Sequence, residues 1–131
     1  MKKNDLPLVY SCSGCSQVAQ LANRIAVTLD RRQHAQMSCI AGVGGQVKPL
    51  LKLARSGRPI LAIDGCALSC AKHSLANIGV QPSHHLQLAD YGLKKKCAEE
   101  YSDEVAEQLV QEINQTILPQ LIPLTAIVDS D

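Results

Sequence analysis

The run Pro59-Ile60-Leu61-Ala62-Ile63 constrains the fold most, because it is apolar at every position and needs cover on both faces. A strand with one wet face would alternate instead. The run breaks at Asp64-Gly65-Cys66, and other apolar runs recur along the chain with helical patterns between them. Leu8-Val9-Tyr10 predicts a first strand. Val18, Leu21, Ala22, Ile25, Ala26 and Leu29 then recur at helical spacing and predict a long amphipathic helix. Residues 37–41 predict a short second strand, closed by Gly42-Val43-Gly44-Gly45. Val47, Leu50, Leu51 and Ala54 give a second helix, with Pro49 tolerable in its first turn and Gly57 near its stop.

After the central run, Leu68, Ala71, Leu75 and Ile78 predict the inward face of a third helix that stops at Gly79. His85-Leu86-Gln87-Leu88-Ala89 alternates as a fourth strand would. Residues 90–101 are irregular. Ser102 can cap a last helix, with Asp103 and Glu104 favourably placed against its dipole. Val105, Leu109, Ile113 and Ile117 form its buried stripe and Pro119 ends it. This alternation predicts an α/β three-layer sandwich: a mainly parallel sheet of about four strands, ordered 2-1-3-4, with right-handed crossovers. That is a doubly wound, Rossmann- or flavodoxin-like arrangement. The apolar tail, 119–131, has three roles open to it: an added edge strand, a packing arm or a homodimer contact.

With no Phe or Trp, and only Tyr10, Tyr91 and Tyr101 as aromatics, the core must be aliphatic. A net charge of +1 gives no electrostatic case for nucleic acid. Lys94-Lys95-Lys96 reads as a solvated loop. Met1-Lys2-Lys3 could imitate the basic end of a signal peptide, but the interrupted segment after it is too short for an apolar core of ~7–15 residues. No stretch approaches the ~18 apolar residues that span a bilayer. A cytoplasmic protein away from membranes is therefore expected, with its thiols reduced.

That expectation makes six cysteines in 131 residues informative. Cys12 and Cys15 follow the first strand, Cys39 the second, Cys66 and Cys70 the third; Cys97 lies in the irregular stretch. Reduced thiols brought together suggest metal binding or thiol chemistry. In a 2-1-3-4 sheet, ligands bind beyond the carboxyl ends of the strands where the order reverses. Cys12 then faces Cys66 across the crevice, with Cys39 arriving from the strand beyond. Cys70, four residues past Cys66, shares a face with it in the first turn of the third helix. Helix N-termini favour thiolates, whose unperturbed pKa is ~8.5. Four thiolates in a tetrahedron suit structural zinc, and four also suit an iron–sulfur cluster.

Other features read as structural. Cys97 reads as a small buried hydrophobe. His34, His73, His84 and His85 all fall at places remote from the cysteine edge, His84-His85 at the opposite sheet edge. The glycine run has Val47 where the dinucleotide fingerprint has its third glycine, and no Walker lysine follows. It reads as a tight turn that lets backbone approach the site. The Cys12 loop superficially resembles a phosphatase loop, yet no arginine follows before Arg24.

The segment Ala62-Ile63-Asp64-Gly65-Cys66-Ala67-Leu68-Ser69-Cys70-Ala71-Lys72 resembles the centre of the DGC domain family. So do Tyr10-Ser11-Cys12-Ser13-Gly14, Met37-Ser38-Cys39-Ile40-Ala41-Gly42 and Asp90-Tyr91-Gly92-Leu93-Lys94-Lys95, in the family's order. The resemblance covers roughly residues 8–118, and implies that 1–131 is a single domain of this type with a tail from 119. The family is described as a zinc-binding domain of unknown function. Matched motif by motif, its four cysteines are Cys12, Cys39, Cys66 and Cys70, with Cys15 and Cys97 as additions; Cys15 competes with Cys39 and Cys70 for a ligand position, and Cys97 is the weaker candidate. A zinc-binding protein is the leading expectation. The alternative is thiol-redox or sulfur handling by Cys12-Ser13-Gly14-Cys15, where a helix start can lower the first thiol's pKa. That loop lacks a recognisable thioredoxin active site and leaves Cys39 and Cys66 without a role. A module presenting the site to a protein partner has no positive support, and whether the chain is an enzyme stays open.

Overall fold

Both faces of the central strand are covered, as its unbroken apolar run requires. In the computed structural model, which describes residues 3–93 and 100–121, every residue of β3 (Ile60–Asp64) is buried. β3 lies between β1 (Leu8–Ser11) and β4 (His84–Gln87), and β2 (Gln36–Met37) borders β1 on its other side. All pairings are parallel and the order is β2-β1-β3-β4, as expected. Leu8 pairs with Ile60 and Ser11 with Ile63; Leu61 pairs with His84 and Asp64 with Gln87. Lys94-Lys95-Lys96, Cys97 and the tail from Ile122 lie outside the described residues.

Alternation along the strands assigns the two cores. Val9, Leu61, Ile63 and Leu86 pack against α1 (Gln17–Arg31) and α5 (Asp103–Glu112) through Ala22, Ile25, Leu29, Leu109 and Val110. Leu8, Tyr10, Ile60 and Ala62 face the other way, toward Val43 of α2 (Ile40–Gly44), Ala54 of α3 (Lys48–Ala54) and Leu75 of α4 (Cys70–Ala76). The three layers are therefore real. Ser16 starts α1 by accepting the Ala19 N–H at 3.2 Å, and Ser102 does the same for α5 with Val105. Arg24 of α1 and Arg32, just after its end, clasp Asp103 and Glu107 of α5. The Arg32 guanidinium holds the Glu107 carboxyl at about 2, so this contribution is present at neutral pH and fades as pH falls from 4.5 toward 2.

Four expectations about elements need correction. The second strand is Gln36–Met37, and residues 40–44 are helical, because the Cys39 thiol accepts the Gly42 N–H and starts a turn there. The fourth strand ends at Gln87, and Leu88 opens a 3-10 turn, Leu88–Tyr91. The third helix begins only at Cys70. Ser69 before it is left-handed (φ 53), so Cys66 sits in a preceding turn and Leu68 is 64% exposed rather than inward. Pro119 does not end the last helix. A π-helical stretch, Ile113–Ile117, precedes α6 (Leu118–Leu121), and this wider turn gives Pro119 room near the carbonyl four residues back.

A candidate thiol site at the sheet switch point

The strand order reverses between β1 and β3, and a cavity of about 130 Å³ opens there at their carboxyl ends. Its wall carries Cys12 and Cys15 from the loop after β1, and Asp64, Cys66 and Cys70 from the end of β3 and the turn into α4. Two segments far apart in sequence thus bring four cysteines to one small space.

The Asp-Gly-Cys triplet divides the labour of building this wall. Asp64 is fully buried, and its carboxylate accepts the Ala71 N–H at 2.8 Å and the Lys72 N–H at 3.1 Å. Ser69 makes no side-chain cap bond, so Asp64 caps α4 from outside the helix. Gly65 is needed for space. A Cβ there would lie 2.6 Å from the Val18 carbonyl carbon and 2.9 Å from the Ala19 nitrogen, inside the backbone of α1. Cys66 then emerges half-buried at the cavity, and its carbonyl accepts the Ser69 N–H at 3.1 Å and the Gln87 side-chain amide at 3.0 Å.

Cys12 is the buried member. Its N–H continues the ladder to the Ile63 carbonyl at 3.0 Å, and its sulfur accepts the Gly65 N–H at 3.2 Å. Burial pushes its pKa up to about 11, against the pull of the Gly65 N–H; the Asp64 carboxylate and the Cys70 and Cys66 thiols raise it further. This reverses the expectation that a helix start lowers the first thiol of Cys12-Ser13-Gly14-Cys15. The helix begins only at Gln17, beyond its reach. A cavity already rich in negative or potentially negative groups favours a cation.

The other predicted ligands are placed as follows. Cys15 and Cys70 are exposed on the cavity wall. Cys39 is exposed at the start of α2, which packs against α4, but it does not line the cavity. Cys97 lies outside the described residues. Among the described residues, no three His, Cys, Asp or Glu side chains stand close enough to share one ion. The donor types fit zinc, and their present spacing is open. His85, read as remote from the cysteines, is not: its Nε2 lies 2.8 Å from Asp64. No motif in the sequence marks Gln87, which reaches the Cys66 carbonyl. The available signal was period two, since His85 and Gln87 share one face of a strand whose Leu86 is buried on the other.

The profile of the DGC domain family matches residues 8–113, which span the cavity and both layers around it. The chain belongs to the DGC domain family. A relative in Pseudomonas aeruginosa, the anaerobic and virulence modulator AnvM, is 56% identical over 114 residues, covering 87% of each chain. No solved structure matches significantly. No helix among the described residues of this DGC protein is long and apolar enough to cross a membrane.

The raised Cys12 pKa has a measurable sign. A thiol that ionises at about 11 when folded and at 9.0 otherwise favours the folded state fully below pH 9, and that contribution is lost as pH rises through 11. The difference in urea midpoint between the metal-free DGC protein and Cys12→Ala should therefore shrink between pH 9 and pH 11.

Proposed function

We propose that this DGC protein is a zinc-binding protein whose metal is held by cysteine thiolates at the carboxyl edge of the sheet. The observation that carries the reading is the single cavity whose wall holds Cys12, Cys15, Cys66 and Cys70 beside a buried carboxylate. Bound zinc would supply charge neutralisation for those thiolates and a tie between the β1 and β3 loops. Cys12, Cys66 and Cys70 are common to the cavity wall and to the family's quartet. For the fourth position the resemblance gives Cys39, whereas the wall gives Cys15, and we take Cys15. Four protein ligands close a site, which suits a structural or sensing role better than a catalytic one. The relative is named as a modulator, and a structural or sensing site is compatible with that name.

Metal analysis of freshly purified protein, with thiols counted before and after chelation, tests this. About one zinc per chain is expected, with thiols shielded from alkylation until a strong chelator is added. Cys12→Ser and Cys66→Ser should abolish stable binding and lower the melting temperature of the zinc-treated protein. Cys70→Ser and Cys15→Ser should weaken binding, while Cys39→Ser keeps the metal. Protein that cannot be loaded and forms a reversible Cys12–Cys15 disulfide would favour redox chemistry. Visible absorbance lost in air would point to iron and sulfur.

A further inference from the structure

β4 supplies two side chains to the segment that carries Cys66 and Cys70, and neither belongs to the cavity wall. Resting on the zinc reading, we propose that His85 and Gln87 are positioning residues that hold this segment in its metal-accepting shape from behind. Period two puts both on one face of β4, with Leu86 buried on the other. His85 lies opposite Ala62 in the sheet register and Gln87 opposite Asp64. From there His85 Nε2 reaches the Asp64 carboxylate at 2.8 Å, at the start of the segment. Gln87 Nε2 donates to the Cys66 carbonyl at 3.0 Å and to Ser69 Oγ at 2.8 Å, in its middle and near its end.

Helix capping alone does not account for this arrangement. The start of α4 is served by Asp64 through the Ala71 and Lys72 N–H groups. The Gln87 bonds satisfy no N–H of α4; they hold the Cys66 carbonyl and the hydroxyl of Ser69, the residue at which α4 starts, and so fix the turn between the two cysteines. That turn includes Ser69 in a left-handed conformation (φ 53, ψ 49), which a residue other than glycine keeps only when its surroundings impose it. Gln87 on the Ser69 hydroxyl is such an imposition. Partners behind the ligands commonly set how firmly a metal is held, and removing one costs roughly 10–100-fold in affinity.

The test uses the full chain loaded with zinc, the same chain loaded with cobalt(II), and metal-free protein. Gln87→Met and His85→Phe remove the contacts with little change in volume, while His85→Gln keeps a donor near the position of Nε2. Chelator-driven zinc release should be ~10-fold or more faster in Gln87→Met and His85→Phe, and near wild type in His85→Gln. The cobalt–thiolate absorption bands should shift in the first two and return in the third. Ser69→Gly guards against simple misfolding: glycine relieves the left-handed backbone, so metal-free melting should not fall, yet zinc release should quicken. Variants that release zinc at the wild-type rate with wild-type cobalt bands overturn the proposal, even where metal-free melting drops. A wild-type chain that takes up neither metal overturns the zinc reading and this inference with it.

Discussion

Asp64→Asn should cost the metal-free protein about 3 kcal/mol or more, a large share of the ~5–15 kcal/mol that a domain has in total. The substitution keeps the volume and removes half of the acceptor capacity. Asp64 accepts the Ala71 N–H on one oxygen and the Lys72 N–H on the other, and His85 meets that second oxygen. An asparagine has one oxygen for the two backbone donors, so its amide must point at an N–H that also donates. The site is fully buried, and no water can repair the mismatch cheaply. Urea denaturation of metal-free wild type and variant measures the effect. A loss below about 1 kcal/mol would mean that α4 is started by some other group.

Much of this could be read from the sequence, because the strongest signals are periodic and local. The apolar run of β3 demanded two covered faces, and Leu61 and Ile63 in one core against Ile60 and Ala62 in the other show that demand being met. The order 2-1-3-4 then brought Cys12 and Cys66 to one crevice, and they share a cavity. What failed depended on contacts that a single sequence does not display. Ser38-Cys39-Ile40 fits a strand as well as a helix start; the Cys39 sulfur on the Gly42 N–H decides it. Ser69 carries no mark of a left-handed backbone, as a glycine would, so the sequence does not show that the third helix waits until Cys70. His85 looked remote because it follows the start of a strand, but side chains reach along the sheet. From its place opposite Ala62, it meets Asp64 at the carboxyl edge.

Gly65→Ala should be the other severe change, at about 3 kcal/mol or more, through a mechanism that differs from the loss of Asp64. The new methyl would stand 2.6 Å from the Val18 carbonyl carbon and 2.7 Å from its oxygen. Those are backbone atoms in the first turn of α1, so no rotamer change can make room. Either α1 lifts from the sheet, opening the core around Ala22 and Ile25, or β3 shifts at its end. Both movements also disturb the Gly65 N–H that reaches the Cys12 sulfur at 3.2 Å. Gly44→Ala is the matched control. A methyl there meets no atom within 4 Å, and at the end of α2 it should change stability by no more than about 1 kcal/mol, toward greater stability. Urea midpoints of the two variants, taken without metal, separate close approach from general intolerance of alanine. A Gly65→Ala protein as stable as Gly44→Ala would show that α1 and β3 can part by several tenths of an ångström without cost. The middle residue of the triplet would then need an explanation other than space.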